Sequence, residues 1–155
     1  KRPRNNPLIV HYSNIEKLKK DCHINDNFMK LYKEFSPGPI TFILKLKKNS
    51  RISKLVTNEQ QTLAVRFPKH PLFRKLLNSI NYPLAAPSAN MSSRLSSVKA
   101  LDVIEEFGSK ISYVLDGGKC KIGVESTIIN ILNKPTLLRF GGLDIIEIEK
   151  ILKKK

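Results

Sequence analysis

The segment Pro83-Leu-Ala-Ala-Pro-Ser-Ala-Asn90 constrains this chain more than any other. A short apolar run is closed at both ends by proline and delivers Ser88 and Asn90 into a turn. Apolar runs bounded by turn signals are usually buried strands, and a buried strand does not end in a polar cluster without a use for it. The cluster continues through Ser92, Ser93, Ser96 and Ser97 to the start of a predicted helix. Strand end, polar turn and helix N-terminus together suit an anion such as a phosphate. The segment therefore predicts a nucleotide or phosphate site at the end of a strand.

The flanking sequence alternates strand and helix patterns. Asn6-Pro-Leu-Ile-Val10 reads as a turn feeding a buried strand, and Ser13 with Glu16 reads as a capping box for a helix to about Lys20. Phe28, Leu31, Tyr32 and Phe35 recur at helical spacing from Asp26, and Pro37-Gly-Pro39 breaks the chain before a strand at Thr41 to Leu46. In the strand Thr62 to Phe67, Leu63, Val65 and Phe67 form a core face, while Thr62, Ala64 and Arg66 share the other. That second face offers a hydroxyl and a guanidinium separated by a residue small enough to leave room for a ligand.

Pro71 opens a helix with Leu72, Phe73, Leu76, Leu77 and Ile80 as its buried stripe. A further helix is expected from about Ser97 to Phe107, closed by Gly108, then a strand at Ile111 to Leu115 ending in Asp116-Gly-Gly118. Ser126 to Leu132 and Thr136 to Phe140 pair as a hairpin around Asn133-Lys-Pro135, and a helix from Ile145 to Leu152 leads into a lysine tail. With no internal repeat or linker, the 155 residues form one domain, and mixed elements with a hairpin give an α/β or α+β class with a mixed sheet.

Composition narrows the partners. The two cysteines, Cys22 and Cys120, lie near no second thiol or paired histidine, so disulfide frameworks and zinc sites do not fit and a reducing cytoplasm does. No apolar run reaches membrane-spanning length, so no membrane partner is expected. The 28 Lys and Arg against 13 Asp and Glu give +15, which favours polyanions, although much of that charge is also explained as solvated lysine.

Arg66 is the clearest candidate for chemistry. An arginine inside a strand must be paired or face a cleft, because burying it alone costs too much; a structural salt bridge is the alternative. Arg139, inside Leu137-Leu-Arg-Phe140 and followed by two glycines, has the same status, and two guanidiniums on one cleft would suit a carboxylate or phosphate. His11 ends an apolar strand, where a histidine is more often structural. Ser88 and Ser126 are not in a nucleophile elbow, so a serine hydrolase does not fit, and neither a Walker loop nor a dinucleotide-binding glycine fingerprint is present.

Seven segments in order carry a resemblance that covers nearly the whole chain. They are Arg2-Pro-x-x-Asn-Pro-Leu-Ile-Val-His11, Phe35-x-Pro-Gly-Pro39, Thr62-Leu-Ala-Val-Arg-Phe-Pro68, Pro83 to Asn90, Leu115-Asp-Gly-Gly118, Gly123-Val-Glu-Ser-Thr-Ile128 and Leu138-Arg-Phe-Gly141. Together they resemble the YrdC-like family of threonylcarbamoyl-adenylate synthases. The resemblance implies a twisted open mixed β-sheet with flanking helices in a single α/β domain over residues 1–155. It also implies a nucleotidyltransferase that joins L-threonine, bicarbonate and ATP, with Mg²⁺, into threonylcarbamoyl-AMP and pyrophosphate.

By motif matching, Arg2, Asn6, Thr62, Asn90, Ser96 and Arg139 would contact ATP, and His11, Arg66, Ser88 and Ser126 would surround the threonine, with no covalent nucleophile. The product would serve threonylcarbamoyladenosine formation in tRNA through a downstream threonylcarbamoyltransferase machinery. A non-catalytic module for tRNA or double-stranded RNA is the rival reading, since +15 suits an RNA surface.

Against the family pattern, Lys1 falls where the middle residue of a Lys-x-Arg pair belongs. A Pro-Thr-Glu-Thr-Tyr-Gly-type threonine-binding segment is absent, and Ser36 and Ser93 stand where tryptophan and glycine are common. The expectation is a domain lacking its N-terminal part, whose activity alone is weak or nil.

Overall fold

Two asparagines start the first two helices. In the computed structural model, which describes residues 6–91 and 94–153, Asn14 Oδ1 accepts from the Lys17 amide at 2.9 Å and Asn25 Oδ1 from the Phe28 amide at 2.8 Å. Each cap satisfies an amide that the helix leaves unpaired, worth about 1 kcal/mol. The expected Ser13–Glu16 capping box is therefore displaced by one residue; Ser13 is buried instead, its Oγ without a partner.

The elements run β1 (Ile9–His11), α1 (Ile15–Asp21), α2 (Asp26–Phe35), β2 (Ile40–Lys45), α3 (Lys54–Thr57), β3 (Thr62–Arg66), α4 (Pro71–Ser79), β4 (Leu84–Ala86), α5 (Ala100–Phe107), β5 (Thr127–Asn130), β6 (Thr136–Arg139) and α6 (Ile145–Lys153). Six strands form one sheet in the order β4-β1-β3-β2-β5-β6. β1 and β3 are parallel, as are β2 and β5; β1 with β4, β2 with β3, and β5 with β6 are antiparallel. This is the open mixed sheet with flanking helices that the sequence predicts, and the β5–β6 hairpin is where it was expected.

Period-two alternation divides the sheet into two unlike faces. On one face Val10, Phe42, Leu44, Leu63, Val65 and Ile129 are buried against Leu18 of α1, Phe28 and Leu31 of α2, and Ile148 of α6. Phe28 meets Phe42 edge-on, ring centroids 5.0 Å apart, and stacks on Tyr32 at 5.4 Å. Asp21 at the end of α1 is buried with both carboxylate oxygens satisfied, by Tyr12 Oη at 2.8 Å and Ser50 Oγ at 2.7 Å. On the opposite face Ile9, Ile43, Ala64 and Ile128 are only half-buried. This face is less completely covered, yet Thr41, Ser126 and His11 on it are buried.

Four expectations are corrected. The run Leu84–Ala86 is not a buried strand: β4 is an edge strand with Ala85 exposed, because only β1 pairs with it. Ile111 to Leu115 forms no strand; with Tyr113 and Leu115 exposed and no strand alongside among the described residues, nothing supplies its backbone hydrogen bonds. In α4 only Leu77 is fully buried, and Leu76 is exposed. α5 starts at Ala100 and not near Ser97, because the Asp102 carboxylate accepts from the amides of both Val98 and Lys99 and fixes the start there. The one-turn α3 has too few residues to carry a helical period.

Phe42 is fully buried at the centre of the covered face. Phe42→Ala is expected to lower stability by about 3–5 kcal/mol in urea unfolding monitored by far-UV circular dichroism.

Candidate functional site

Registered neighbours in a sheet point to the same face. His11 pairs with Arg66, Arg66 with Thr41, Thr41 with Ile128, and Ile128 with Arg139. The register therefore lays His11, Arg66, Thr41 and Arg139 in one row across the open face, although they lie up to 128 residues apart in sequence.

Each member of the row is held by its neighbours. Arg66 Nε donates to the Gly38 carbonyl at 3.3 Å, which places the Pro37-Gly-Pro39 turn against it. That turn is fixed in place by the Gly38 amide on the Phe67 carbonyl, 2.9 Å, and the Thr127 amide on the Pro39 carbonyl, 2.9 Å. Ser126 and Thr41, 2 % and 0 % exposed, have hydroxyls 2.7 Å apart. Arg139 grips Ser126 twice, Nε donating to its carbonyl and Nη2 to its Oγ, both at 3.0 Å. Its Nη1 pairs with Glu125 Oε2 at 3.0 Å, and Ser96 Oγ donates to Glu125 Oε1 at 2.7 Å. The result is one connected polar network from Thr41 to Ser96.

The glycine after Phe140 makes this possible. A Cβ on Gly141 would collide with the Thr127 amide, the Glu125 carbonyl and the Ser126 backbone, so only glycine lets the end of β6 lie on that segment. The next amide, of Gly142, donates to the Glu125 carbonyl at 3.2 Å.

His11 closes the other end of the row. It is buried beside Phe73, centroids 5.2 Å apart, and its Nδ1 donates to the Leu84 carbonyl at 3.3 Å. Burial first, and the Arg66 charge second, lower its pKa from 6.5 to about 4. At neutral pH the ring is uncharged, with Nε2 free of the proton and able to accept. Burial likewise lowers the pKa of Arg66, opposed by the Glu125 carboxylate and reinforced by Arg139.

The remaining predicted residues fall elsewhere. Thr62 is four residues before Arg66 on the same face, about 13 Å away along the strand; its hydroxyl donates to Gln60 Oε1 at 3.4 Å. Asn6, three residues before β1, and Ser88, two residues after β4, lie toward that same end and are exposed. From there the chain after Ser88 returns to the row, tied by Ser97 Oγ on the Ala89 carbonyl at 2.8 Å and by Ser96 on Glu125. Asn90 sits within this loop, its Nδ2 donating to the carbonyls of Met91 and Arg94 at 3.0 and 2.8 Å, while its Oδ1 is buried without a partner. Arg2, Lys1 and Ser93 lie outside the described residues.

Sequence reasoning missed Thr41 and Glu125. Thr41 is in phase with Arg66 only once the β2–β3 register is known. Glu125 precedes Ser126 in a chain already expected to bring two guanidiniums together, and such a pair calls for a carboxylate. Among the described residues no group of three or more His, Cys, Asp or Glu could hold a metal, and Glu125 is already engaged. These residues offer no all-protein cage for Mg²⁺, and no step below runs through one.

Residues 1–141 match the Sua5/YciO/YrdC family model, described as "Telomere recombination". The chain belongs to the Sua5/YciO/YrdC family. It is 42% identical to the threonylcarbamoyl-AMP synthase of Pyrococcus abyssi, over 97% of this chain and 44% of the relative. It is 37% identical to the synthase of the same name in Schizosaccharomyces pombe, over 96% of this chain and 42% of the relative. The crystal structure of P. abyssi Sua5 complexed with L-threonine superposes with a TM-score of 0.93 at 41% identity, covering 98% of this chain and 45% of that one. Escherichia coli YciO, with a TM-score of 0.74 at 18% identity over 92% of this chain and 69% of its own, shares the fold. This member of the family thus spans under half the length of the first relatives it matches. No helix among its described residues is long and apolar enough to cross a membrane.

His11 gives the site a pH signature. The unfolded chain takes up a proton near pH 6.5 that the folded chain refuses until about pH 4, so stability falls as pH drops through that window, by up to about 3 kcal/mol. Urea unfolding at pH 7, 5.5 and 4.5 is expected to show this loss, and His11→Asn to flatten it.

Proposed function

We propose that the open face binds L-threonine and ATP and forms threonylcarbamoyl-AMP, releasing pyrophosphate, for threonylcarbamoyladenosine modification of tRNA. The observation that carries this reading is the row His11–Arg66–Thr41–Ser126–Arg139, set on a fold that superposes on a relative complexed with L-threonine.

The chemistry suits such a surface. Bicarbonate and the threonine amine form a carbamate with loss of water, and a carbamate oxygen then attacks the α-phosphate of ATP as pyrophosphate leaves. Both reactants are anions, so the surface must screen repulsion and hold them in line; it need not supply a nucleophile. Arg66 takes the threonine carboxylate. Ser126, fixed by Thr41 and Arg139, and the neutral ring of His11 offer hydrogen bonds to the amino-acid end; Ser88, exposed at the Thr62 end of the sheet, would reach the threonine only if the turn after β4 moved toward the row.

Arg139 and Ser96 take the phosphates. Thr62, about 13 Å from Arg66 along β3, and Asn6 lie toward the far end, which suits the nucleoside of an extended ATP, and Asn90 joins the nucleotide contacts from the loop that returns to the row. The unpaired Oδ1 of Asn90 is an acceptor that a ligand donor would satisfy. Arg2 would join the nucleotide contacts. A tRNA threonylcarbamoyltransferase machinery would consume the product. The synthase names of the relatives do not favour the rival reading of a non-catalytic RNA-binding module.

Titration calorimetry with L-threonine tests this reading. Binding to the wild-type chain is expected, weakened ~10–100-fold in Arg66→Ala, the worth of a hydrogen-bonded charge pair. Equal affinity in the variant would remove Arg66 from the amino-acid site.

A further inference from the structure

We propose that Glu125 is the site's internal counter-anion, a carboxylate that occupies the phosphate position until the nucleotide displaces it. The inference rests on the reading of this face as an ATP site. Its two oxygens are divided between Ser96 and Arg139, two residues assigned to the phosphates. Its charge also acts on Arg66, so it neutralises a pair of guanidiniums that otherwise repel each other. In the arrangement described, the carboxylate stands where a phosphate oxygen would receive the same two donors.

The surroundings allow the side chain to leave without disturbing the rest. Glu125 is anchored by its backbone, through the Gly142 amide on its carbonyl, so the movable part is the side chain. Arg139 keeps its two hydrogen bonds to Ser126 when Glu125 departs, which holds the guanidinium in place for the incoming group. The Glu125 and Arg139 side chains are 43% and 34% exposed. An ion pair that open to water contributes little, so a polyanion can replace it at small cost. Inorganic phosphate, with fewer charges than a triphosphate, gains too little to do so. Glu125 therefore discriminates triphosphate from inorganic phosphate by a repulsive element as well as an attractive one.

Glu125→Gln keeps the shape and a hydrogen-bond acceptor but removes the charge; Glu125→Asp keeps the charge on a shorter stem. Calorimetry on both variants with ATP, tripolyphosphate and inorganic phosphate reads the effect. Glu125→Gln is expected to bind tripolyphosphate and ATP ~10-fold tighter than wild type and to gain measurable binding of inorganic phosphate, while Glu125→Asp gains neither. Wild-type binding of ATP with equal or weaker binding in Glu125→Gln overturns the inference alone, and makes Glu125 a bracket for Arg139. A gain as large in Glu125→Asp as in Glu125→Gln also overturns it, because charge would not be the cause. Absence of ATP and tripolyphosphate binding in wild type and Glu125→Gln alike overturns both the inference and the nucleotide reading beneath it.

Discussion

Strand β2 is paired on both edges, antiparallel to β3 and parallel to β5, and the open face depends on that double register. It sets Thr41 beside Arg66 on one side and beside Ile128 on the other, which brings Ser126 over the Thr41 hydroxyl. Ser126 in turn orients Arg139 through two hydrogen bonds. A slip of β2 by one residue would turn Thr41 into the core and Phe42 onto the open face. The packing of Phe42 against Phe28 resists that slip, so the apolar face fixes the geometry of the polar one.

The electrostatics follow from the burial of the polar row itself. The row holds two guanidiniums, one neutral imidazole and one partly exposed carboxylate. Arg66 and Arg139 act on each other, and the Glu125 carboxylate offsets that repulsion from within the protein's own chain. His11 lies deep enough beside Arg66 to remain uncharged at neutral pH. A surface arranged this way is prepared for anionic ligands before any arrives, and that preorganisation is what a reaction between two anions requires.

Much of this was legible in the sequence because it is local. The alternation in Thr62 to Phe67 places Arg66 opposite the core, and the turn residues at Asn133 to Pro135 announce the hairpin. What escaped depends on long-range pairing. Leu84–Ala86 has the composition of a buried strand, yet its position at the sheet edge is set by which strand it meets, not by its residues. Ile111 to Leu115 has a strand pattern but no neighbour to bond with among the described residues. Thr41 looks like an ordinary strand threonine until the register with Arg66 is known. Glu125 gains meaning only when Ser96 and Arg139, 43 residues apart, approach the same carboxylate.

The central claim is that the polar face of the sheet, along the row from His11 to Arg139, is where the amino-acid substrate sits. Backbone amide chemical shifts during a titration with L-threonine test it most directly. The account predicts progressive shifts at His11, Gly38, Thr41, Arg66, Ser126 and Arg139, with α1, α2 and α6 behind the sheet unmoved. Shifts confined to those helices, or scattered over the lysine-rich surface without the row, would contradict it.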